Sequence, residues 1–102
     1  MAIQNTAING TAVSIYTSVG SSAITTIHLC NYTGSAIQAN IYAVPSGGTA
    51  NNTTVIYSNV QITAYNSLII YQEKIILSNG DAIFANVSAS NSVTATVSSI
   101  GI

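Results

Sequence analysis

Apolar and polar residues alternate along much of this chain with a period of two. Val13, Ile15, Thr17 and Val19 fall on one side of an extended segment, and Ser14, Tyr16 and Ser18 on the other. Ile37, Ala39, Ile41 and Ala43 repeat the pattern against Gln38, Asn40 and Tyr42, and two later rows, Ile83, Ala85, Val87 and Val93, Ala95, Val97, repeat it again. Such rows predict strands with one face in a core. In "SAITTIHLC" the phase slips between Ile24 and Ile27, which predicts a bulge.

Turn-forming clusters punctuate these rows about every 10 to 14 residues: Asn9-Gly10, Gly20-Ser21, Thr33-Gly34-Ser35, Pro45 to Gly48, Tyr65-Asn66-Ser67, Asn79-Gly80 and Ala89 to Ser92. The Gly- and Asn-rich segment 46–52 reads as a loop. No window carries a helical repeat, so helix is limited to a turn or so. The expected architecture is all-β: a single domain over residues 1–102, folded as an antiparallel β-sandwich of jelly-roll type with about eight strands.

Composition sharpens this picture. Sixteen Ile and eight Val against three Leu favour strands, and the common helix-forming charged residues are nearly missing. Charged residues make up 3% of the chain, against about 25% in an ordinary globular protein. Asn, Ser and Thr break every apolar run well short of the roughly 20 residues that a membrane helix needs. A transmembrane barrel would require several subunits to close one ring. A net charge of −1 offers no basic surface to nucleic acid. The opening "MAIQNTAING" carries no basic flank followed by an apolar segment, so synthesis in the cytoplasm is expected, in agreement with a lone Cys30. Long strands with so few ions are exposed to edge-to-edge aggregation, and burial in an oligomer or against a larger structure removes that hazard.

All three formal charges, Glu73, Lys74 and Asp81, fall within "YQEKIILSNGDAIFA". Adjacent positions in a strand put Glu73 and Lys74 on opposite faces. Asn79, Gly80 and Asp81 form a hairpin signal, with Asp81 placed to accept from turn amides. Glu73 with Asp81 as a glycosidase pair would also need a cleft and supporting polar groups, which nothing in the sequence indicates. His28 and Cys30 share a strand face but supply only part of a zinc ligand set. One His and no nucleophile elbow leave a serine hydrolase unsupported, and Gly47-Gly48 lacks the Lys of a phosphate loop. No catalytic, cofactor-binding or metal-binding residue is therefore expected. Asn-x-Ser/Thr matches such as those at Asn31, Asn51, Asn52 and Asn86 are what chance gives at this composition. Tyrosine is favoured at interfaces, and Tyr16, Tyr42, Tyr57 and Tyr71 are the expected contact residues, with Tyr16 and Tyr42 pointing away from the core.

Three segments in order, "IHLCNYTGSAIQANIYAVPSGG", "NVQITAYNSLII" and "KIILSNGDAIFANVSASNSVTATVSSIGI", resemble the small all-β virion proteins of tailed bacteriophages over about residues 22–100. The matching pattern is a strand ending near Cys-Asn, a strand ending in Val-Pro-x-Gly-Gly, a Leu-x-x-Gly-Asp-x-Ile-x-Ala segment and a final strand that here reads Val93-Thr94-Ala95-Thr96-Val97. The Gly-Asp-x-Ile portion is also similar to C1q/TNF-like jelly rolls, which are trimeric binding modules. The resemblance implies a non-enzymatic virion structural protein without a cofactor. The leading role is a capsid decoration (cement) protein, made in the host cytoplasm. Its expected partners are the major capsid protein or another virion protein and further copies of itself, a trimer being favoured, with no nucleic acid and no membrane. The alternative is a tail, baseplate or fibre component, including a host-surface or glycan-binding module.

Overall fold

β-Branched side chains at alternating inward positions organise nine strands: β1 (Ala2–Ile8), β2 (Val13–Thr17), β3 (Ser22–Asn31), β4 (Ile37–Val44), β5 (Val55–Ile62), β6 (Ser67–Ile70), β7 (Ile75–Leu77), β8 (Ala82–Val87) and β9 (Val93–Gly101). The computed structural model describes residues 2–70, 75–89 and 92–101, and no helix occurs among them. Two antiparallel sheets form. The first runs β1-β9-β3, with β6 and β7 both paired to the far side of β3; the second runs β2-β8-β4-β5.

If β6 and β7 are counted as two pieces laid along β3, the sheet orders become 1-8-3-6 and 2-7-4-5. That is the jelly roll, two Greek keys folded face to face. The expected sandwich is therefore present, and among the described residues one long strand position is filled by β6 and β7. Their registers on β3 differ by two residues, since Ile27 pairs with Ile70 but Ile24 with Ile75.

The core lies between the two sheets as one cluster. Small residues sit beside large ones: Ala95 pairs with Leu29, Ala85 with Ile41, and Ala39 with Val87, all buried. This alternation lets the facing layers interdigitate at interior density. Each buried Ile contributes about 1.5–3 kcal/mol of transfer free energy, and Ile15, Ile24, Ile27, Ile41 and Ile83 are fully enclosed.

The bulge read in "SAITTIHLC" is real: the β3–β9 register shifts between Ile24 and Thr26, and the Thr25 hydroxyl donates to the Ser98 carbonyl at 3.2 Å. A second bulge was not anticipated. The β2–β8 register also shifts, between Ser14 and Tyr16. One extra residue reverses the facing of every side chain after it. Hence Val13 and Ile15 face the core as expected, but beyond the bulge Tyr16 packs against the core and Ser18 is buried, while Thr17 and Val19 are exposed. The expectation that Val13, Ile15, Thr17 and Val19 share one buried side is corrected accordingly.

Candidate functional site

Asn79, Gly80 and Asp81 sit in a tight turn closed by the Asp81 N–H donating to the Ser78 carbonyl at 3.0 Å. It is not a hairpin turn. β7 pairs with β3 in the first sheet and β8 with β2 and β4 in the second, so the turn crosses between sheets. Gly80 has φ of 90°, a conformation that favours glycine. Its N–H donates to the Ser18 carbonyl at 2.9 Å, and the Ser18 N–H returns a bond to the Asp81 carbonyl at 2.8 Å. The Asn79 side-chain oxygen accepts from the Gly20 N–H at 2.9 Å.

Both carboxylate oxygens of Asp81 are engaged by backbone amides. Oδ1 accepts from the Ser46 N–H at 2.9 Å and Oδ2 from the Ser78 N–H at 3.0 Å. Asp81 thus ties the β4–β5 and β7–β8 connections together. A cleft of about 210 Å³ opens beside it, lined mainly by Ala43, Val44, Pro45, Ile75, Ile76 and Leu77. That volume lies below the roughly 300–1,000 Å³ of typical small-molecule sites. Glu73, Lys74 and Tyr71 lie outside the described residues.

The tyrosines divide by environment. Tyr16 is half-buried, packs against the core and donates to the Ser22 hydroxyl at 3.1 Å, so it does not point away from the core as the strand pattern predicts. Tyr57 also packs against the core. Tyr42 does face outward, where its hydroxyl donates to Asn86 Oδ1 at 3.3 Å. Among the described residues the most exposed tyrosines are Tyr65 and Tyr32, in the connections flanking β6 and β3, which the sequence pattern did not single out.

His28 and Cys30 share the outer face of the first sheet, His28 between Ile69 and Thr96 and Cys30 between Ser67 and Thr94. Among the described residues no group of three His, Cys, Asp or Glu is placed to hold a metal ion. Asn31 is fully buried, and its amide is a fastening point. Nδ2 donates to the carbonyls of Ser35, Ile62 and Thr63, while Oδ1 accepts from the N–H and hydroxyl of Thr33.

The two outer faces differ. On the first sheet, Ile100, Ala23 and Ile76 lie side by side across β9, β3 and β7, and Ile69, His28, Thr96 and Asn5 form a parallel row. Ile3 pairs with Ser98 on the same side. Four exposed isoleucines (Ile3, Ile69, Ile76 and Ile100) therefore share this face. Their signal in the sequence was alternation that continues to be apolar on the outward phase of β1, β6, β7 and the end of β9.

The outer face of the second sheet is a network of amides. Asn40 Nδ2 donates to Asn86 Oδ1 at 3.0 Å, Asn40 Oδ1 accepts from the Asn59 N–H at 2.7 Å, and Ser88 Oγ accepts from the Gln38 N–H at 3.1 Å. These groups are satisfied within the chain. No helix among the described residues is long and apolar enough to cross a membrane.

When the chain is compared with known proteins, no family model, no curated protein and no solved structure matches it.

Proposed function

We propose that this protein is a structural component of a bacteriophage virion, acting as a capsid decoration protein that binds and stabilises the assembled head. The observation that carries this reading is a jelly roll whose 102 residues include three formal charges and whose first sheet turns four isoleucines outward. Apolar area not needed for the core is what a surface destined for burial carries. The resemblance of residues 22–100 to small phage virion proteins supplies the context, and the engagement of both Asp81 oxygens by amides favours a structural over a catalytic part for that residue.

The mechanism is added buried area across joints between shell proteins. An interface of the standard size, roughly 1,600 Å² in total, suffices for stable attachment, and repetition over a shell multiplies it by avidity. Partners are the major capsid protein or another virion protein, together with further copies of this chain. With few ions involved, attachment depends little on salt.

The test is to mix purified protein with heads lacking it and to count bound copies per particle. Hundreds of copies, retained when NaCl is raised from about 0.1 to 1 M, support the proposal; release by that change contradicts the apolar mechanism. A handful of copies at the tail points instead to the alternative tail, baseplate or fibre role.

A further inference from the structure

Three of the four sheet edges are irregular. β2 carries a register shift, β5 carries two together with Asn59 in the left-handed region at φ 57°, and on the third edge the described residues of β6 and β7 pair with β3 in two different registers. Bulges and short strands are the ordinary means by which edges are protected from pairing. β1 has none of them. Its seven residues pair with β9 in one unbroken register from Ala2–Ser99 to Ile8–Val93, without Pro or charge. Among the described residues, no backbone hydrogen bond other than those to β9 reaches residues 2–8.

The sequence of this edge indicates what fits it. "AIQNTAI" reads two apolar, three polar and two apolar residues in either direction, centred on Asn5. Antiparallel pairing with an identical strand about a two-fold axis at Asn5 would set Asn5 against Asn5, Gln4 against Thr6 and Ile3 against Ala7. Like would meet like along the whole strand. Because the strand is uncharged, two copies meet without repulsion, and any partner bearing charge there would meet no counter-charge.

We propose that β1 is a self-association edge: β1 of a second copy pairs with it antiparallel, joining the two first sheets into one continuous sheet. About six to eight backbone hydrogen bonds would form, satisfying groups that otherwise face outward. The outer faces bearing Ile3, Ile69, Ile76 and Ile100 then lie on one side of the joined sheet, doubling the apolar surface offered to a shell. A two-fold pair replaces the trimer expected from the resemblance. This inference rests on the reading of the protein as an assembly component, but it is tested without particles.

The experiment measures molar mass by light scattering at about 100 μM for the full chain and its variants. The wild type is expected at the mass of two chains. Asn5→Lys sets two ammonium groups across the axis and is expected to raise the dissociation constant about tenfold at low salt, as charges roughly 5 Å apart require. An equimolar mixture of Asn5→Lys and Asn5→Asp is expected to restore the two-chain species, because only position 5 opposes itself. Gln61→Lys on the irregular β5 edge is expected to change nothing. As a separate readout, Asn5→Cys in a Cys30→Ser background should crosslink to its own copy under mild oxidant, since antiparallel Cα separations of about 4.5–5.5 Å fall within disulfide range. A wild type at the mass of one or three chains, an undiminished dimer of Asn5→Lys, or a mixture that fails to pair overturns the edge assignment. None of these outcomes bears on whether heads bind the protein, which the copy count decides.

Discussion

The two sheets are built from the same residue types, yet they end differently. The second sheet satisfies its outward groups within the chain: its β5 edge is bent by two register shifts, and its outward amides bond one another and the Asn59 backbone. The first sheet stays open, with a straight β1 edge and isoleucines outside. The difference teaches that neutrality alone does not make a surface adhesive. Asn and Ser quench a face when they find partners inside the chain, and unsatisfied backbone with outward Ile leaves it available.

The largest expected effect comes from the joint between the sheets. Gly80→Ala would place a Cβ about 2.5 Å from Ser46 Oγ at a φ of 90°. Positive φ and overlap together should cost roughly 2–4 kcal/mol, a fall in Tm of about 10–20 °C for a domain of this size. Thermal unfolding by circular dichroism checks it. If the variant melts within about 2 °C of the wild type, the turn is not what couples the sheets, and their different behaviour must be explained within each sheet alone.

Much of this layout was legible before the structure, and the reasons are specific. Ile37-Ala39-Ile41 and Val93-Ala95-Val97 alternate against polar residues, so only one facing buries them. The β3 bulge was legible because its two Thr fall between isoleucines that must both be inside. The β2 bulge was not, because Tyr16 and Ser18 tolerate either side and the alternation reads smoothly across it. The Asn79-Gly80 turn was legible as a turn, but local turn chemistry is the same whether the flanking strands pair with each other or leave for opposite sheets. The facing of Tyr16 was misread for a related reason: an amphipathic ring on a strand does not declare its face. The open β1 edge depends on β9, some ninety residues away, and no local pattern reports that pairing.

A smaller effect is expected from loosening the second sheet. Asn40→Ala removes the acceptor that holds the Asn59 N–H and one donor to Asn86. Both sites are near solvent, so the cost should be about 1–2 kcal/mol. Hydrogen exchange at the Asn59 amide should accelerate about tenfold, while amides of β1 and β9 keep their rates. Equal acceleration at both edges would show that the sheets share one opening event and erase the contrast drawn between them.

The smallest effect on stability, and the sharpest on the comparison, is expected from paired surface changes. Ile69 on the first sheet is 48% exposed and Ile56 on the second is 44% exposed, so Ile→Ser removes similar outward area from each. Either change should alter stability by less than about 1 kcal/mol, because much of each side chain is already hydrated. Adhesion should respond unequally. Ile69 lies on the face that also carries Ile3, Ile76 and Ile100, whereas Ile56 sits on an edge strand distorted by two register shifts. Ile69 is one of four exposed isoleucines on its face, whereas Ile56 is the one exposed large hydrophobic in the described strands of the second sheet, so retention on a hydrophobic column should fall clearly for Ile69→Ser and barely for Ile56→Ser. Equal retention would mean that the outward isoleucines act singly, and the first sheet would then owe any adhesion to its open backbone edge alone.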